Sequence, residues 1–369
     1  MKNVMSWIDK IKAISVISIS SFLGFFIIEY SYSYIKGNSS NDSFINRTML
    51  FETGHNFINH KGYFKYFPNA EIRSLTLYSK SDPKSIGDIE IAYDYLIRTN
   101  NMGLVMQADV IHNDRVMFVI GDSFTEGQGA SPWFYDLEKS YENPKEKIVN
   151  LGISGTGPQQ WENLALAISG ELKLDVRASV VNIVPDDMLR GVWVLAEREL
   201  DCLYHALCDY KFGFQGYNFK PQESYDDIKL SVLNTLSEPT GNLGEKSYFD
   251  VNTIKNFIKR SSIIKDIYRS LYKKNHKNQE LNEDSLLALN KAVNGNLYVN
   301  VVSQKTINST NFTFYRPARE LIDFLQEHGI KYSWCDIPID GYHRYDPHPN
   351  ANGYKVLRSC TKNSLEKLD

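Results

Sequence analysis

Three apolar runs, each ending in a cluster of small and polar residues, constrain this chain more than any other feature. They are Val116–Gly121 (VMFVIG), Lys147–Gly155 (KIVNLGISG) and Ala178–Pro185 (ASVVNIVP), with a helical stretch at Gln160–Leu172 between the second and third. A fourth run, Lys331–Ile339 (KYSWCDIPI), follows a helical stretch at Ala318–His328 that Gly329 closes. The last helix is expected to start near Asn350 and to turn Tyr354 and Leu357 inward. Strands apolar on both faces and alternating with helices predict a parallel sheet covered on both sides, an α/β fold. In such a sheet ligands bind beyond the carboxyl ends of the strands. The residues standing there are therefore the ones to examine.

Four clusters occupy that rim. After the first strand stands GDSFTEG, Gly121 to Gly127; after the second come Gly152, Gly155 and Gly157; after the third come Asp186 and Asp187; before the last helix comes YDPHPNANG, with Asp346, His348 and Asn350. Together they hold the parts of a nucleophilic triad. Ser123 sits at a strand-to-helix turn, where a hydroxyl can be exposed beside a backbone N–H aimed at a developing oxyanion. His348 is the candidate base. Asp346 stands two residues earlier, and Pro347 keeps it extended, so that the carboxylate and the imidazole point to the same side. Gly155 offers a backbone N–H with no side chain in the way. Asp122 reads as a structural acceptor in the turn, and Trp133 and Trp161 either stack on a sugar ring or pack in the core. His343 and His205 read as surface or supporting residues. Arg190 is either an anion-binding group or a surface arginine at a helix start.

Taken in order, G-D-S at Ser123, N-L-G-I-S-G at Asn150–Gly155, the polar residue after the third strand and D-P-H-P-N at Asp346–Asn350 resemble the SGNH (GDSL-type) hydrolases. The resemblance covers residues 115–195 and 315–369. It implies a flavodoxin-like three-layer α/β/α fold and hydrolysis or transfer of ester-linked acyl groups, in many members on acetylated carbohydrates. By position it makes Ser123 the nucleophile, His348 the base, and Ser123, Gly155 and Asp186 the corners of the oxyanion hole. Two departures matter. The family places Asn where this chain has Asp186, and an ionised carboxylate there would oppose the oxyanion at a cost of about 3 kcal/mol. That predicts a protonated Asp186, one turned away, or an impaired enzyme. The family also often sets its Asp three residues before the His, where this chain has Tyr345; Asp346 is the substitute, and Asp340-Gly-Tyr-His343 is the rival with the usual spacing.

Outside these blocks, Ala13–Ile35 is apolar for most of its length and follows Lys2, Lys10 and Lys12. That predicts a transmembrane signal anchor at 13–35 with a cytoplasmic tail at 1–12, and an inner-membrane protein whose bulk is extracytoplasmic (periplasmic). Residues 36–110 read as a linker and an accessory segment of a few strands, and residues 111–369 as the SGNH-type domain, with a mainly helical insertion at about 200–310. The 41 Lys and Arg against 44 Asp and Glu, a net charge of −3, argue against a nucleic-acid partner. Four cysteines, Cys202, Cys208, Cys335 and Cys360, allow three pairings. Walker, Rossmann, G-x-S-x-G and H-E-x-x-H motifs are all missing, so no cofactor and no metal is expected. The expectation is a serine esterase or O-acyltransferase acting on an O-acylated, in particular O-acetylated, cell-surface glycan. The alternative is a non-catalytic protein of the same fold that binds glycan or an envelope-assembly partner.

Overall fold

A computed structural model describes residues 44, 46–51, 57–60, 62–80, 83–141, 143, 145–193, 219, 223–237 and 281–368. The expected anchor at 13–35, its cytoplasmic tail, most of the expected insertion, Cys202, Cys208 and His205 lie outside the described residues. Among the described residues no helix is long and apolar enough to cross a membrane.

The chain enters through five strands, β1 (Asn46–Phe51), β2 (Phe57–His60), β3 (Tyr63–Tyr66), β4 (Glu71–Ser79) and β5 (Ile89–Arg98). β1, β4 and β5 form an antiparallel sheet in the order β1-β4-β5, and β2 and β3 form a separate two-stranded ribbon. β4 and β5 slip register between Thr76 and Leu77, the local irregularity by which a bulge re-aims side chains. Leu50, Leu75, Leu77 and Ile89 form a small cluster with Phe219, Ile228 and Val232, whereas Phe64, Tyr66, Ile72, Tyr93, Tyr95 and Ile97 join the main core.

The main sheet begins at β6 (Arg115–Gly121). Next come α1 (Ser123–Glu126), α2 (Phe134–Ser140), β7 (Lys147–Asn150), α3 (Pro158–Leu172), β8 (Asp175–Ile183) and a tight turn at Pro185–Leu189. Beyond α4 (Tyr225–Ser237) lie α5 (Glu283–Ala292), β9 (Leu297–Val302), α6 (Arg316–Glu327), β10 (Lys331–Cys335) and α7 (Ala351–Glu366). The five strands are all parallel and run β10-β9-β8-β6-β7. Numbered along the chain from β6, that is the 2-1-3-4-5 order of a flavodoxin-like doubly wound sheet, whose switch point falls between β6 and β8. α2 packs on α7, and α3 packs on α5. The expected α/β/α architecture is therefore present.

One boundary changes. The stretch set apart as an insertion at 200–310 contains β9, which pairs with β8 from Ser179↔Leu297 to Ile183↔Val301 and is buried throughout. Its pattern is interrupted by Asn300, which hides the strand in the sequence. That asparagine is paid no penalty for burial because Asn300 Nδ2 donates to Asn182 Oδ1 at 2.9 Å while its own Oδ1 accepts from Ser364 Oγ at 2.7 Å. The strands Lys147–Gly155, Ala178–Pro185 and Lys331–Ile339 also end earlier than expected, at Asn150, Ile183 and Cys335. Their polar tails leave the sheet to form the rim. A disulfide joins Cys335, at the end of β10, to Cys360 on α7, resolving one pairing that spacing left open.

Candidate active site

Ser123 opens the short helix α1 at the carboxyl end of β6. Asp122 caps it, its Oδ1 accepting from the Phe124 N–H at 2.9 Å, which is the structural part expected of Asp122. His348 Nε2 lies 2.9 Å from Ser123 Oγ. On its far side His348 Nδ1 is bonded to Asp346 Oδ1, the oxygen that also accepts the backbone N–H of His348 at 2.9 Å. The i−2 spacing works through a bend at 344–348 and not through the extended stretch expected of Pro347: a single carboxylate oxygen serves the main chain and the ring together. Asn350 then caps α7, accepting from the Asn352 and Gly353 N–H groups, and its Nδ2 donates to the carbonyls of Asp340 and Tyr342. The D-P-H-P-N motif is a carboxylate–imidazole pair followed by the cap that fixes it.

The rival pair does not form. Asp340 is exposed, and His343 Nε2 is bonded to the Gly129 carbonyl at 2.8 Å, with its ring against Tyr93. Tyr345, at the i−3 position, packs against Phe44 and Tyr78. Trp133 and Trp161 are buried, their indole N–H groups donating to Phe124 O and Thr156 Oγ1. They are core residues with no face for a sugar.

Asp346 is fully buried, and its second oxygen is held by groups that the sequence did not reveal. Oδ2 accepts from Tyr78 Oη at 2.8 Å and Tyr93 Oη at 3.3 Å, and it pairs with Arg47 Nε at 2.9 Å. Burial alone would push the Asp346 carboxyl up; the hydrogen bonds and charge of His348 and the Arg47 guanidinium outweigh it and hold the carboxyl well below the usual carboxylate range. Burial and the neighbouring carboxylate push Tyr78 up, and burial takes Tyr93 up to about 12, so both phenols remain donors.

The turn bearing Gly155 packs directly against α1. A Cβ at Gly152 would come within 2.6 Å of the Glu126 nitrogen, so only glycine permits this approach. Gly155 itself is left-handed, with φ of 74°. The turn is tied down by Glu126, whose Oε2 accepts the Ser154 N–H at 2.6 Å, and by Gln128, whose Oε1 accepts from Ser154 Oγ at 2.7 Å. Gln128 Nε2 in turn donates to Tyr93 Oη at 2.8 Å, so one hydrogen-bonded chain links the Gly155 turn to Asp346. Neither the Ser123 nor the Gly155 backbone N–H donates to another group among the described residues.

Asp186 is not brought into this group. Its Oδ1 is bonded to Tyr315 Oη and its Oδ2 accepts from Gln304 Nε2 at 3.1 Å. Of the three outcomes the sequence allowed, the carboxylate is the one turned away. Arg190 is not a surface residue either: it forms ion pairs with Asp122 and with fully buried Asp187. Among the described residues no group of three or more His, Cys, Asp or Glu side chains could hold a metal ion.

The chain thus places a serine after the first strand of a 2-1-3-4-5 parallel sheet, a glycine turn after the second and an Asp-x-His before the last helix, the placement that its resemblance to the SGNH (GDSL-type) hydrolases implies. Solved structures similar to it include a GDSL-like lipase from Bacteroides thetaiotaomicron (12% identity, TM-score 0.31, covering 69% of this chain and 88% of that one). A psychrotrophic esterase from a Pseudoalteromonas species (11%, 0.34, 69% and 98%) and an acetyl xylan esterase from Geobacillus stearothermophilus (12%, 0.32, 69% and 96%) are similar to the same extent. No family model and no curated protein matches the chain.

Proposed function

We propose that the chain is a serine esterase or O-acyltransferase that works through an acyl-enzyme. The observation that carries this reading is the line Ser123 Oγ–His348 Nε2, 2.9 Å long and backed by Asp346. Ser123 Oγ attacks the ester carbonyl carbon as His348 Nε2 takes its proton, and the carbonyl oxygen becomes an oxyanion facing the N–H groups of Ser123 and Gly155. Asp346 keeps the proton of the imidazole on Nδ1 and offsets the positive charge of the ring. His348 then returns its proton to the leaving alcohol, the C–O bond breaks, and the acyl group stays on Ser123. Water resolves the acyl-enzyme in an esterase and a hydroxyl acceptor in a transferase; the same residues serve both.

The substrate of this reading is an O-acylated, in particular O-acetylated, cell-surface glycan, reached by an extracytoplasmic domain held at the inner membrane. Support comes from the apolar segment 13–35 with its preceding lysines, from the Cys335–Cys360 disulfide, which suits an oxidising compartment, and from the family resemblance. The non-catalytic alternative drew on a carboxylate opposing the oxyanion and on the insertion at about 200–310 as an interaction surface; the engagement of Asp186 with Tyr315 and Gln304 removes the first ground.

The test is labelling by a fluorophosphonate together with hydrolysis of 4-nitrophenyl acetate. Wild type is expected to react in both, and Ser123→Ala in neither. A folded wild type that labels no faster than Ser123→Ala between pH 6 and 9 refutes the enzyme reading.

A further inference from the structure

Two backbone N–H groups leave room at an oxyanion for a third donor, and with Asp186 turned away the corner expected of it is empty of its own side chain. Arg190 is the cation that lies against both turns. It follows the Pro185–Leu189 turn, and its Nη1 lies 3.2 Å from Asp122 Oδ2, 2.7 Å from Asp187 Oδ1 and 3.4 Å from the Thr156 carbonyl. Asp122 immediately precedes Ser123, and its Oδ2 is 3.1 Å from Ser123 Oγ. Thr156 immediately follows Gly155. The guanidinium therefore bridges the two turns that carry the free N–H groups.

Its backbone is fixed there too. Gly157 N–H donates to the Val192 carbonyl, Thr156 forms an antiparallel bridge with Trp193, and a Cβ on Gly157 would come within 2.6 Å of Arg190 Cβ. All the polar contacts of the guanidinium are made by Nη1. The N–H groups on Nη2 and Nε make no hydrogen bond among the described residues, and the side chain is 25% exposed. A half-buried, oriented cation with unspent donors beside the two turns that carry the free N–H groups suits a developing alkoxide.

We infer that Arg190 is the third oxyanion donor, a catalytic residue that bonds the tetrahedral intermediate through an N–H of its free edge. This rests on the serine-acyl reading above.

The experiment uses the full chain in two variants. Arg190→Lys keeps the charge and the pairing with Asp187 but loses the planar fork. Arg190→Met combined with Asp187→Asn removes the cation together with the Asp187 charge, and leaves Asp122 its bonds to the Phe124 N–H and Ser123 Oγ. Circular dichroism and melting establish that each is folded. With 4-nitrophenyl acetate, kcat is expected to fall at least ten-fold in the first and a hundred- to thousand-fold in the second, with KM within about two-fold of wild type. The rate of fluorophosphonate labelling should fall in parallel, because the phosphonyl oxygen uses the same donors. Folded variants with undiminished kcat and labelling overturn the inference and leave the Ser123 reading intact. So does a rise in KM at constant kcat, which would make Arg190 a ground-state binding group. A wild type without Ser123-dependent labelling overturns the enzyme reading, and this inference falls with it.

Discussion

Glu126 is a carboxyl placed where a carboxylate is costly, and replacing it by glutamine should change how stability depends on pH. The side chain is fully buried at the end of α1. Its Oε2 accepts from Tyr66 Oη at 2.7 Å and from the Ser154 N–H at 2.6 Å, and its Oε1 accepts from Tyr95 Oη at 3.4 Å. Burial drives the carboxyl up; the hydrogen bonds from Tyr66 and Ser154 oppose that without cancelling it, and the result is a pKa of about 7 against an ordinary 4.5. Between those two pH values the folded state keeps a proton that the unfolded chain has released. Stability therefore falls as pH rises through this window, by roughly 3 kcal/mol at about 1.4 kcal/mol per unit, and levels off above about 7. Glutamine does not titrate, and its amide oxygen can still accept from Tyr66 and Ser154. Urea denaturation of wild type and Glu126→Gln should be followed from pH 4.5 to 8, and the difference between the two free energies taken at each pH, so that groups common to both cancel. The difference should move in favour of Glu126→Gln by about 3 kcal/mol across the window. A difference that is constant with pH would show that Glu126 titrates as it does in water, and the account of its burial would be wrong.

Arg47→Met removes the cation beside Asp346 while Tyr78 and Tyr93 remain. Because the folded-state pKa of Asp346 is depressed, its contribution to stability is present above the ordinary carboxylate pKa and is lost as pH falls below about 4. The variant, with less depression, should unfold at a higher pH on the acid side and lose at least ten-fold in kcat; acid unfolding curves that coincide with wild type would refute the pairing. Reduction of the disulfide opens a loop with a sequence separation of 25 that carries both Asp346 and His348. Chain entropy puts the loss at about 3 kcal/mol, which calorimetry of Cys335→Ser/Cys360→Ser should register as a melting temperature lower by roughly 6–12 °C.

The parts of the site written in short stretches of sequence were legible, and those assembled from distant strands were not. Ser123 follows its strand directly, and Asp346 reaches His348 through one proline, so a local reading placed them together. Arg47, Tyr78 and Tyr93 lie on β1, β4 and β5, and the hydrogen bond from Tyr78 to Asp346 spans 268 positions. In a single sequence nothing distinguishes these from other residues of an aromatic-rich chain. The one local hint was the alternation in EIAYDYLIR (Glu90–Arg98), which sets Tyr93 and Tyr95 on a single face of β5. The turning of Asp186 depends on Tyr315, at the start of a different helix, and could not be read from the VPDDMLRG motif. β9 was missed because its buried Asn300 breaks the apolar run, and the partners that make that asparagine tolerable, Asn182 and Ser364, lie far away in sequence.

The accessory strands also change what counts as the active-site domain. A carboxylate without solvent contact is tolerated only where its charge and lone pairs are met. His348 and its own backbone N–H satisfy one oxygen of Asp346. The other oxygen is satisfied entirely from the antiparallel sheet, by Arg47 of β1, Tyr78 of β4 and Tyr93 of β5. The same sheet and the β2–β3 ribbon hold Glu126 through Tyr95 and Tyr66, and with it the Gly155 turn. A boundary drawn at residue 110 therefore separates the triad from three of the five donors that keep its acid ionised. Strands β1 and β3–β5 are better understood as the wall of the site that fixes both the base and the oxyanion turn, with the parallel sheet supplying the nucleophile between them.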